Sequence, residues 1–130
     1  MERSAAATWV TDLFAAWRDG DPSRAASLFT PDAIYRSNPF GPPLEGRAAI
    51  ANYWERAVEG QTDLDLHVGL EIVEGDRAAV EWWVSVTEGG AASVSTGSLF
   101  LTFSDGLCAE LREVWTEREG TAPPYDGWGK

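Results

Sequence analysis

The 130-residue sequence has one cysteine, one histidine and one methionine. A lone Cys108 excludes an internal disulfide and any cysteine cluster for a metal. A lone His67 excludes multi-histidine metal sites. No glycine-rich phosphate loop or ligand cluster is present, so no metal, nucleotide or flavin cofactor is expected. Apolar runs fall far short of the ~20 residues that a membrane helix needs. The first residues, MERSAAATWVTDLF, carry acidic and polar groups where a secretory signal needs an apolar core, which points to a cytoplasmic protein. Basic residues are scarce: 10 Lys and Arg stand against 21 Asp and Glu, a net charge of −11. Such a surface repels phosphate backbones and anionic lipids, so neither nucleic acid nor a membrane is an expected partner.

Apolar residues make up 44% of the chain, enough for one core and hence a single domain over residues 1–130, with 118–130 as an irregular Pro- and Gly-rich tail. Seven tryptophans need a deep core, a pocket or an interface to cover their rings. Trp9, Val10, Leu13, Phe14 and Trp17 follow helical spacing up to Gly20. Asp21-Pro22 reads as a cap and first turn of a short second helix carrying Ala25, Leu28 and Phe29, which Thr30-Pro31-Asp32 breaks. A third helix spans Arg47 to Glu59, with Ile50, Tyr53, Trp54 and Ala57 on one face and Trp54 placed to edge into a cavity.

The second half alternates with period two. Strands are expected over Leu64–Ile72, around Val80–Val86, over Val94–Phe103 and over Leu107–Glu117, with glycine-containing turns between them. Helices first and a meander of long strands afterwards indicate an α+β fold, helices on one face of a strongly curved sheet around a pocket. One sheet face collects Leu64, Leu66, Val68, Leu70, Val80, Trp82, Val84, Val86, Leu99, Leu101, Phe103, Leu111 and Trp115. Glu113 shares that parity. A carboxyl between a leucine and a tryptophan on the apolar face is either an acid–base group with a pKa raised by desolvation, or a group paired with a buried donor or turned outward by a bulge. The opposite face is polar and carries His67, read as a surface or interface residue. Trp83, Phe100 and Val114 also sit there and suggest a homodimer patch, the alternative being scattered surface hydrophobes. Cys108 beside a turn reads as a half-buried thiol.

Between the first strand and the third helix lies YRSNPFGPPLEG, Tyr35 to Gly46. Its prolines and glycines form a turn, and its polar residues sit where the chain stops being regular. The Gly20-Asp21-Pro22 junction, LFTPDAIYRSNPFGPPLEGRAAIANYW and the closing LREVW together resemble the SnoaL-like branch of the nuclear transport factor 2-like superfamily, over about Ala6 to Trp115. That resemblance implies a cone of three helices on a curved sheet, with a pocket between them and dimerisation through the convex sheet face. Against the ketosteroid isomerases, the aspartate base falls at Ser37 or Asn38, the helix tyrosine at Leu13 and the strand aspartate at Leu99. Steroid isomerisation by that route is therefore not expected. Against the limonene-type epoxide hydrolases, Tyr35 matches a water-holding tyrosine, Ser37 takes the asparagine position with Asn38 beside it, and Glu113 matches the last-strand aspartate. The arginine and second aspartate of that set fall at Trp82 and Val84. A cyclase-like step needs one base and a shaped apolar pocket, which Glu113 with Tyr35 would supply. The expectation is thus a pocket for an apolar oxygenated small molecule, lined by Trp54, Trp82, Leu99, Leu111 and Trp115. Tyr35 and Glu113 would be its catalytic groups, with Ser37 and Asn38 orienting substrate or water. A non-catalytic binding module or a dimeric interaction module is the alternative.

Overall fold

The computed structural model describes all of residues 1–130. Three helices, α1 (Arg3–Arg18), α2 (Pro22–Ala26) and α3 (Gly46–Val58), cover one face of an open, curved mixed sheet. The strands are β1 (Phe29–Arg36), β2 (Leu44–Glu45), β3 (Gln61–Val68), β4 (Ile72–Glu74), β5 (Arg77–Glu88), β6 (Ala91–Ser104) and β7 (Leu107–Glu119). Their order is β2-β1-β7-β6-β5-β3, with β4 also on β5. All pairs are antiparallel except β1 with β7, the parallel contact that brings Tyr35 level with Leu111.

The helices form where capping and periodicity ask for them. Asp21 caps α2 by accepting the Arg24 backbone N–H at 3.1 Å, and Pro22 occupies the first turn. The helix is shorter than its sequence suggested. Phe29 is already in β1, and the irregularity that Pro31 brings is absorbed as a register shift between Phe29 and Ile34. Every buried residue is apolar or aromatic, and 23 of them form one core cluster. Trp9 anchors it edge-on to Phe29 and Phe103, at 5.5 and 5.4 Å between ring centroids.

Three expectations are corrected. The strand expected over Leu64–Ile72 is two: β3 ends at Val68, and β4 pairs with a different part of β5. The break sits at Gly69, where the carboxy-terminal segment crosses so closely that a Cβ would lie 2.8 Å from the Gly129 Cα. Leu70 donates its N–H to the Gly129 carbonyl at 2.8 Å, and Leu70 and Ile72 face solvent instead of the helices. The irregular tail begins at Gly120, since β7 continues to Glu119. Cys108 is fully buried, because an extra residue at Ala109 shifts the β6–β7 register and leaves both Cys108 and Leu111 facing inward.

The tail also changes the convex face. Trp83 donates its indole N–H to the Ala122 carbonyl at 2.8 Å, and Tyr125 and Trp128 pack edge-on against its ring. Trp83 is therefore covered by its own chain. Of the apolar trio on that face, only Phe100 and Val114 remain well exposed.

Candidate functional site

The inner sheet face can be read rung by rung. Trp82, Gly97 and Trp115 stand opposite one another across β5, β6 and β7. The next rung is Val80, Leu99 and Glu113, and the one after is Ala78, Leu101 and Leu111, continued by Tyr35 on β1. At Gly97 the strands approach so closely that a Cβ would fall 2.0 Å from the Val114 carbonyl oxygen, so only glycine permits this curvature.

Across this wall lies α3, tied down by the Arg47 Nε–H bond to the Phe29 carbonyl at 2.8 Å. It presents Tyr53, whose ring centre is 5.3 Å from that of Tyr35, and Trp54, 6.0 Å from Tyr53 and 5.4 Å from Trp17. Glu113 is half-buried, and no arginine, lysine or histidine pairs with it. The nearby Arg36 and Arg112 face outward and bracket Glu110 instead, at 4.0 and 3.8 Å. Desolvation without a compensating cation pushes the Glu113 carboxyl from 4.5 up to about 8. Burial, and then the Glu113 charge, push Tyr35 well above the ordinary phenol range. Tyr53 rises to about 12 for the same reasons, with a Ser37 side-chain hydrogen bond acting in the opposite direction. At neutral pH the site therefore holds a protonated carboxyl beside two neutral phenols.

Glu113 lies near Tyr35, and Ser37 lies beside Tyr53. Tyr53 joins them, although the sequence marks it only as a core-facing aromatic. Its position one turn after Ile50 on the inward stripe of α3 is the signal that a phenol tip enters the interior. Trp54, Trp82, Leu99 and Leu111 are all buried in the core cluster, and none of the five principal cavities is lined by them. Trp115 lies at the surface, 45% exposed, and donates its indole N–H to the Ser37 carbonyl at 2.9 Å. Asn38 is exposed, and its side-chain oxygen accepts the Phe40 N–H at 2.9 Å, which commits it to the turn. The largest cavity, about 520 Å³, is an open groove lined by Arg36, Pro39, Phe100, Arg112, Glu113 and Val114.

Trp9, Trp17, Trp83 and Trp115 all donate their indole N–H groups within the chain. Trp54 and Trp82 are 5% and 4% exposed, and their buried N–H groups have no acceptor. His67 pairs with Asp65 at 3.1 Å on the outer side of β3, away from Glu113. No three His, Cys, Asp or Glu side chains converge as a metal site would require, and no helix is long and apolar enough to cross a membrane.

This architecture is the NTF2-like, or ketosteroid isomerase-like, fold. A family model for the SnoaL-like domain matches residues 10–111, and the chain belongs to that family. Among solved structures, a Mycobacterium tuberculosis protein is similar at a TM-score of 0.80 with 16% identity, covering 92% of this chain and 99% of that one. An epoxide hydrolase/cyclase-like enzyme of pyran ring formation in the polyether salinomycin matches at 0.74 and 20%, covering 84% and 88%. A computationally designed 17-OHP binder matches at 0.76 and 18%, covering 89% and 98%. At these identities the likeness concerns the fold. No protein of curated function matches the chain.

Proposed function

We propose that this SnoaL-like protein binds an apolar, oxygenated small molecule against the inner sheet face and performs cofactor-independent acid–base chemistry on it with Glu113. The observation that carries the reading is the carboxyl itself: unpaired, on the apolar face, raised to about 8 and flanked by Tyr35 and Tyr53. A group titrating near neutrality can both give and take a proton at useful rates. A carboxyl raised this far is mostly protonated at pH 7, so Glu113 is poised as an acid, with a minor ionised fraction ready as a base. Tyr35 and Tyr53 donate to a substrate oxygen, and Ser37 orients Tyr53. Glu113 opens onto the groove whose other lining residues are Arg36, Pro39, Phe100, Arg112 and Val114. The epoxide hydrolase/cyclase-like enzyme of the same fold supports a ring-forming or ring-opening step, and the designed 17-OHP binder supports an apolar ligand of this kind. Self-association, if it uses the convex face, rests on Phe100 and Val114 without Trp83.

The test is turnover of a panel of β-diketones and epoxides by the wild type and Glu113→Gln. A loss of ~100-fold or more with ligand affinity retained supports the assignment. A wild-type rate that rises with pH through about 8 marks Glu113 as base, and one that falls marks it as acid. Equal turnover in both proteins refutes the catalytic role. Binding without turnover in the wild type leaves a ligand-binding module.

A further inference from the structure

The largest cavity lies where the sheet gains a free edge. β1 runs beside β7 only as far as Arg36, which stands level with Arg112, while β7 continues to Glu119. Past that point β7 has a neighbour only in β6. The notch left there lets Glu113, an inner-face residue, line the same groove of about 520 Å³ as Phe100, Arg112 and Val114 of the outer face. Arg36 and Arg112 lie abreast in this groove. Like charges facing each other on neighbouring strands repel, and the chain has only 10 basic residues to place. Glu110 relieves the pair in part, at 4.0 and 3.8 Å, both longer than a hydrogen bond. Arg24 and Arg47, by contrast, donate hydrogen bonds at 3.0 and 2.8 Å. Beside the pair, Phe100 and Val114 are exposed apolar surface, and the Arg112 guanidinium stands 6.0 Å from the centre of the Phe100 ring.

Resting on the reading of Glu113 as the acid–base group of a small-molecule site, we infer that Arg36 and Arg112 anchor a carboxylate, so that the molecule presented to Glu113 has one anionic end on an apolar body. A guanidinium fork matches a carboxylate in plane and spacing, and two forks abreast offer donors to both of its oxygens. Such an anion removes the repulsion that Glu110 relieves only in part. Phe100, Val114 and Pro39 supply the apolar contact for the body. Elsewhere the surface of a chain of net charge −11 repels an anion, so affinity for one has to come from this pair. A cation is disfavoured by the same two charges, and a neutral hydrocarbon leaves both forks unused. A second copy of the chain fits the groove less well than a small molecule does. A dry contact through Phe100 and Val114 would bury the Arg112 charge beside them at a desolvation cost. An anion next to Glu113 is tolerated because that carboxyl keeps its proton at neutral pH.

The experiment is a titration of the whole ¹⁵N-labelled protein with 1-naphthoate and with 1-naphthamide, which share size and shape and differ in charge. The backbone amides of Phe100, Arg112 and Val114 and the Nε–H signals of Arg36 and Arg112 are followed. The wild type is compared with a double variant, Arg36→Gln with Arg112→Gln. The two side chains are 44% and 46% exposed, so the fold does not depend on them, and the wild-type comparison of the two probes is decisive by itself. The expected result is that 1-naphthoate binds about tenfold tighter or better than 1-naphthamide, with shifts centred on those signals, and that the preference falls below about twofold in the double variant. Equal affinity in the wild type, a preference that survives in the double variant, or shifts confined to other signals overturns the anchor and leaves the turnover test of Glu113 untouched. Binding of neither probe does the same. Selective 1-naphthoate binding together with unimpaired turnover in Glu113→Gln overturns the role of Glu113 and leaves the carboxylate anchor standing.

Discussion

Glu113→Gln tests the electrostatic argument without knowing a substrate. The sign follows from where the proton sits. Below pH 4.5 the carboxyl is protonated in both folded and unfolded chains, and burial costs little. Between 4.5 and about 8 the unfolded chain ionises while the native protein keeps its proton, so the native state loses about 1.4 kcal/mol per pH unit relative to the unfolded one. Above about 8 the native group ionises too and the loss stops growing. The stability this group contributes in acid is therefore lost as pH rises through about 8, to a ceiling of roughly 5 kcal/mol. Relaxation and water penetration at a half-buried carboxyl reduce that, and about 2–3 kcal/mol is the expected difference. Glutamine has nearly the same shape and does not titrate. Its extra amide donor adds an offset that is independent of pH, so the slope is the readout. Urea denaturation of both proteins from pH 4 to 9.5 should give stability curves that diverge, with the variant gaining on the wild type by about 1–2 M in midpoint across the range. The other acidic residues are common to both and cancel. Parallel curves would refute the claim that Glu113 is a half-buried acid without a compensating cation.

Three further outcomes follow from packing. Gly97→Ala places a methyl 2.0 Å from a backbone carbonyl that cannot rotate away, so urea denaturation should show a loss of about 3 kcal/mol or more, and a loss under 1 kcal/mol would contradict the close approach. Truncation after Glu119 removes the aromatic cover of Trp83 and the Ala122 and Gly129 hydrogen bonds; about 3 kcal/mol of stability should go, with a red-shifted tryptophan emission, and an unchanged spectrum would show that the tail does not cover Trp83. Cys108 is fully buried with its thiol pushed up to about 12, so alkylation by iodoacetamide at pH 8 should run ~100-fold or more slower than in urea; equal rates would contradict its burial.

Much of this was legible because periodicity and caps are local. Helical spacing located α1 and α3, and Asp21-Pro22 located the start of α2. Parity alone placed Glu113 on the wall with Leu111 and Leu99, since a strand shows alternate residues to opposite faces. What escaped depends on contacts distant in sequence. Nothing in LHVGLEI says that Gly129 will press on Gly69 and end the strand there. Nothing in EWWVS says that Trp83 will lie beneath Tyr125 and Trp128. Parity also says nothing about where a long strand outruns its core: Trp115 shares a side with Glu113, yet it stands 45% exposed because β7 has passed beyond the helices. Asn38 looked like a site residue from its position, but an asparagine before a proline-rich turn serves its own backbone first.

The placement of the one inward carboxyl limits the chemistry. Ser37, just past the end of β1 and beside Tyr53, has no proton to exchange near neutrality. The phenols lie too high to serve as bases, because burial and the Glu113 charge both hold them protonated. A reaction needing a base and an acid at once would therefore have one titrating group for two tasks. A reaction that takes a proton and returns it, or gives one and recovers it, needs only one group used twice. A carboxyl at about 8 has that symmetry, since neither protonation state costs more than about 1.4 kcal/mol to reach at pH 7. Proton relocation, or ring closure onto a transiently activated carbonyl, fits such a site better than hydrolysis that must activate water while protonating a leaving oxygen.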